Sequence, residues 1–114
     1  MNERDQSYLE DMLSYARDAI ELLGGDDADA LEADKRSRYA VIRAVEVVGE
    51  AAAKVSDEGR AALPSAPWRQ AIGMRNVLIH GYQGLDIGLV VETVREHFPP
   101  LIKLLSQALG GDQP

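Results

Sequence analysis

Four residues in the second half of the chain are of types that could do chemistry together: Arg75, Asn76, His80 and Tyr82. They lie in Arg75-Asn76-Val77-Leu78-Ile79-His80-Gly81-Tyr82, an arginine, four residues, a histidine, one residue and a tyrosine. An imidazole with an ordinary pKa of about 6.5 can take and return a proton near neutral pH. A guanidinium stays charged in any surroundings and grips an oxyanion through parallel N–H bonds. Side by side, the two could move a proton next to a held anion. Asn76, one turn before His80, could orient the imidazole or touch the same anion. Each residue also has a plainer reading. His80 could cap a helix or lie at the surface, Arg75 could pair with Glu46 or Glu50, and Tyr82 could be a surface tyrosine.

The spacing predicts one helix over residues 68–82 to carry them. On a wheel of about 100° per residue, Trp68, Ala71, Ile72, Leu78, Ile79 and Tyr82 make a broad apolar face. Arg69, Gly73, Asn76 and His80 recur at steps of four, three and four and make a polar stripe beside it. Arg75 projects from the apolar face. A guanidinium buried there without a partner would cost about 3–5 kcal/mol. Something anionic must therefore meet it: a carboxylate, polar atoms of a partner chain, or a substrate phosphate.

Charge is distributed to suit the last of these. The net charge is −7, which argues against indiscriminate nucleic-acid binding. Residues 1–34 hold eleven acids against Arg4 and Arg17, a balance of −9, whereas residues 59–85 hold Arg60, Arg69, Arg75 and no acid. A phosphate would be tolerated in that window and hardly elsewhere.

The remaining elements follow in order. The 114 residues suit a single domain, 1–114. Helix one is expected from about residue 3 to 23, with Asn2 as its cap and Gly24-Gly25 as its stop. Residues 26–34 form an acidic connector with one helical turn around Leu31. A second long helix, about 35–55, starts near Asp34 or Ser37 and carries a wide stripe from Ala40 to Val55. Residues 56–67 read as a connector closed by Ser65-Ala66-Pro67, with Ser65 as cap. Asp86 caps the last helix, which Pro99-Pro100 must kink or split. The expected architecture is all-α, an antiparallel four-helix bundle with a short extra helical turn and a Pro-kinked C-terminal helix.

Glu46 and Glu50 lie one turn apart, but no histidine stands at ligand spacing, so neither a metal nor a cofactor is expected. His97, beside the two prolines, reads as structural. There is no cysteine, no apolar run of the roughly 20 residues a membrane span needs, and no secretory signal at the N-terminus. A soluble, cytoplasmic protein is expected.

The Arg75-to-Tyr82 pattern is similar to the signature of HepT-like proteins in the HEPN superfamily. The flanks agree: Pro67-Trp68, Gly73-Met74, the Val48-Gly49-Glu50-Ala51 run, Asp86 and the Pro99-containing last helix. The resemblance implies an α-helical homodimer that cleaves RNA without a metal, as the toxin of a toxin-antitoxin pair. It implies Arg75 and His80 as the catalytic pair, with Asn76 assisting. Its partner would be a minimal nucleotidyltransferase antitoxin, which silences it by attaching AMP to Tyr82. Arg69 and Gly73, on the stripe with His80, are further candidates for phosphate or RNA contact. A non-catalytic helical subunit that pairs with a nucleotidyltransferase and binds nucleotide or substrate is the alternative.

One geometric point bears on the dimer. Arg75 and His80 are five residues apart, about 140° around an ideal helix. Either the helix distorts before Gly81, or the site is built from two copies of the helix across a twofold axis. The second solution also explains an arginine on an apolar face.

Overall fold

The computed structural model of the chain describes residues 1–80 and 86–110, with residues 75–80 described as helical backbone only. It is all-α, and among the described residues there is no strand. Helix α1 (Glu3–Leu23) opens on Asn2, whose side-chain oxygen accepts from the Asp5 N–H at 2.7 Å, and ends at Gly24 with a φ of 54°. Leu9, Met12, Ala16, Ala19 and Leu23 are its buried apolar residues, in alternating steps of three and four that keep one stripe inward. Helix α3 (Lys35–Lys54), capped by Asp34, answers with Val41, Ala44, Val45, Val48, Gly49, Ala51 and Ala52. The pair α1–α3 is the most extensive helix contact, and small residues on α3 allow it.

The acidic connector is more ordered than a solvated loop. It forms helix α2 (Ala28–Ala33), whose Asp27 cap accepts from the Ala30 N–H at 2.9 Å. Leu31 is fully buried, so one apolar side chain pins a strongly acidic, otherwise largely exposed segment.

Residues 56–67 correct the sequence reading, which had a plain connector. Helix α4 (Asp57–Ala62) stands there, capped by Ser56, whose hydroxyl oxygen accepts from the Gly59 N–H at 3.1 Å. The same hydroxyl donates to Asp5 Oδ2 at 2.5 Å, and the Ser56 N–H donates to Asp5 Oδ1 at 2.9 Å. Asp5 is only 2 % exposed, and these two bonds hold its carboxyl below the usual carboxylate range, the hydroxyl contributing most. A buried acid 51 residues away thus holds the cap of helix α4 in place. Helix α5 (Trp68–His80) follows. Pro67, rather than Ser65, opens it, its carbonyl accepting from the Ala71 N–H at 3.0 Å.

The C-terminal arm begins with α6 (Ile87–Glu92), capped by Asp86, which accepts from the Leu89 N–H at 3.1 Å. A π-helical turn (Thr93–His97) leads into α7 (Phe98–Ala108). Pro99 and Pro100 have no N–H to continue an α-helical ladder. The chain widens by one residue before them, and the Phe98 N–H reaches back five positions to the Thr93 carbonyl. Arg95 then ties the arm to the turn after α1, donating to the carbonyls of Gly24 at 3.1 Å and Asp26 at 2.5 Å. Phe98, Leu101 and Leu105 complete the core with α1 and α3. Four long helical arms therefore form the expected bundle, with α2 and α4 as short additions. Among the described residues no helix is long and apolar enough to cross a membrane.

Candidate functional site

Helix α5 positions the candidate residues, and its anchoring lies in its first two turns. Trp68, Ala71, Ile72 and Met74 are partly buried against the core, and α3 is the neighbour on which α5 packs. Trp68 Nε1 donates to the Leu63 carbonyl at 3.0 Å. That bond locks the helix start to the segment leaving α4, and it satisfies the one polar atom that burial of an indole must satisfy.

From this anchored start the backbone stays α-helical through His80. Arg75 and His80 are thus borne by one helix, about 7.5 Å apart along its axis and about 140° apart around it. The helix does not break before Gly81 to bring the two positions onto one side. Asn76 and His80 share the stripe that Arg69 and Gly73 begin, Arg69 lying seven residues before Asn76 and Gly73 seven before His80. The side chains of Arg75, Asn76 and His80 lie outside the described residues, as does Tyr82 altogether.

Arg69 and Gly73 are described, and they line a surface groove of about 450 Å³ with Arg60, Trp68 and Ile72. Arg69 is exposed. Arg60 comes from α4, and its guanidinium donates to the carbonyls of Ala53 at 3.1 Å and Ala52 at 3.4 Å, the last turn of α3. A cation at a helix C-terminus satisfies orphan carbonyls and complements the helix dipole. Its Nε is buried without a hydrogen-bond partner among the described residues. Arg60 was visible beforehand only as one of three arginines in the acid-free window, and the fold is what brings it across to Arg69.

Glu46 and Glu50, the internal acids considered as partners for Arg75, both hold Arg43. Its Nη1 lies 2.5 Å from Glu46 and 3.1 Å from Glu50 on the exposed side of α3. The pairing raises the Arg43 pKa above its usual value, the Glu46 hydrogen bond first among the causes. Among the described residues no group of histidines and carboxylates is placed to hold a metal ion. His97 faces Glu92 at 4.0 Å and borders a mainly apolar cleft of about 160 Å³ lined by α3, α5 and the C-terminal arm.

Comparison with known proteins places the chain. Residues 12–108 match the model of the ribonuclease HepT-like family. A "Putative RNase" of Methanocaldococcus jannaschii is 39 % identical to the chain, over 90 % of this chain and 95 % of that one. A second "Putative RNase" of the same organism is 38 % identical over 90 % of each. The "Probable ribonuclease HepT" of Thermococcus cleftensis is 35 % identical over 89 % of this chain and 92 % of that one. No solved structure matches the chain. The chain belongs to the HepT-like ribonuclease family.

Proposed function

We propose that the protein is a metal-independent endoribonuclease of the cytoplasm, the toxin of a toxin-antitoxin pair, working as a homodimer. In this reading the 2′-hydroxyl of RNA attacks the adjacent phosphorus, the P–O5′ bond breaks, and a 2′,3′-cyclic phosphate and a 5′-hydroxyl remain. His80 moves the proton between these oxygens, a role worth about 10²–10⁴ in rate. Arg75 binds the non-bridging oxygens on which charge accumulates, and Asn76 orients the imidazole or the phosphate. The nucleophile belongs to the substrate, so the protein has only to hold the phosphate and transfer protons.

The observation that carries the reading is the unbroken α5 in a HepT-like chain. It holds the arginine and histidine positions about 140° apart. An arginine from one subunit and a histidine from its twin would then complete each site. Tyr82, two residues beyond His80, would be the target of a nucleotidyltransferase antitoxin. An AMP group there would add bulk and negative charge where the RNA phosphate must sit.

The test is cleavage of RNA in EDTA. Wild-type protein is expected to leave 2′,3′-cyclic phosphate ends, and Arg75→Ala or His80→Ala to lower the rate at least about 100-fold while the dimer persists. Tyr82→Phe is expected to keep cleavage and to resist the nucleotidyltransferase. Undiminished cleavage by purified His80→Ala would remove the imidazole from the mechanism.

A further inference from the structure

The groove at the start of α5 is not needed by the reaction just described, and its composition is unusual for this chain. It is lined by two arginines, the protein's single tryptophan, an isoleucine and a glycine, and no carboxylate. Arg69 takes part in no ion pair or hydrogen bond among the described residues, whereas Arg43 and Arg95 are both engaged. Arg60 contributes an Nε with no hydrogen-bond partner among the described residues. Gly73 sits inside a helix with no positive φ to require it, and a Cβ built there would meet nothing within 4 Å. A helical glycine with open space beside it is unfavourable for the folded chain alone. It leaves bare backbone on the groove floor, where a backbone or ring from outside can come close.

We propose that Arg60, Trp68, Arg69 and Gly73 form a subsite for single-stranded RNA flanking the scissile phosphate. The proposal rests on the ribonuclease reading and extends it to the substrate's form. Cationic side chains that follow the phosphates, together with an aromatic face for a base, are the usual means of holding a single strand without reading its sequence. Trp68 is fixed by its bond to Leu63 and half-buried, so its ring is already ordered before a base arrives. Gly73 lies about 10 Å before His80 along α5, on the same stripe. A strand running down that stripe meets the subsite first and the catalytic positions next. In a chain of net charge −7, this acid-free arginine track is where a polyanion can approach.

The single tryptophan makes the test direct. A 2′-O-methyl oligoribonucleotide of about 12 nucleotides lacks the attacking hydroxyl and can be titrated into intact wild-type protein. It is expected to quench Trp68 fluorescence, whereas inorganic phosphate is expected not to. Arg69→Ala is expected to weaken oligonucleotide binding about tenfold at low salt. The slope of log affinity against log salt should fall by about 0.7, the contribution of one phosphate contact to a single strand. Arg60 also caps α3, so Arg69 carries the test. Unquenched binding that Arg69→Ala leaves intact would overturn the subsite, and RNA cleavage by the same preparation would leave the nuclease reading standing. Loss of the dimer in Arg69→Ala would also overturn it, assigning the groove to subunit contact. Failure both to bind the oligonucleotide and to cleave RNA would remove the two readings together.

Discussion

Replacing Gly59 by alanine should loosen the fold, although glycine is the poorer helix former. A Cβ at Gly59 would lie 2.7 Å from Asp5 Oδ2, 2.7 Å from Val55 Cγ1 and 3.0 Å from Asp5 Cγ. Asp5 has little room to retreat, because both carboxylate oxygens are held by Ser56. Val55 is 3 % exposed and packed in the core. Overpacking of this kind costs about 1–3 kcal/mol, against which a glycine-to-alanine change returns about 0.5–1 kcal/mol of helix propensity. The middle of the two ranges leaves a net loss of about 1 kcal/mol, with extremes of about 0 and 2.5 kcal/mol. For a domain of this size that is a Tm lower by about 4 °C, and by up to about 10 °C, measured by circular dichroism at neutral pH. Gly73→Ala is the internal comparison. Its Cβ meets nothing, so the same chemical change should raise Tm by about 2–4 °C. Equal shifts of the same sign in the two variants would refute the reasoning, since steric environment would then not distinguish the two glycines.

Two further outcomes follow from the same packing. The Asp5 carboxyl is held below its ordinary pKa by Ser56, so between the two values the unfolded chain binds more protons than the folded one. Its contribution to stability is complete above the ordinary carboxylate value and is lost as pH falls through the depressed one. Asp5→Asn should flatten the acid limb of a Tm-against-pH profile, and an unchanged limb would remove the clamp from that role. Leu31→Ala should cost about 2–5 kcal/mol in urea unfolding, because Leu31 is fully buried. A cost below about 0.5 kcal/mol, the range of surface substitutions, would return α2 to the status of a solvated loop.

The extents of the long helices were legible because their signals are local. Asn2, Asp34 and Asp86 cap the helices where short polar side chains precede apolar periodicity, and the two prolines announce the break that the π-helical turn accommodates. Helix α4 escaped the same reading. It is six residues long with a glycine at its centre, and its cap is stabilised by Asp5 across 51 residues. The candidate site divides in the same way. The Arg75-to-Tyr82 pattern and the acid-free window are properties of the letters, and they lead to the HepT-like family. The helix runs intact through His80, without the distortion that was one of the two geometries the wheel left open; the twofold arrangement belongs to the proposal.

Periodicity, caps and residue chemistry act over a few positions, so the chain alone determined where the long helices run, that they bundle, and which residues could handle a phosphate. Pairings between distant positions depend on how the helices cross, and only the tertiary structure decided those. It gave Glu46 and Glu50 to Arg43, buried Asp5 against Ser56, and carried Arg60 from α4 to face Arg69 across the groove. A charged side chain does not specify its partner by its own identity; the partner is set by which surfaces the core brings within a few ångströms.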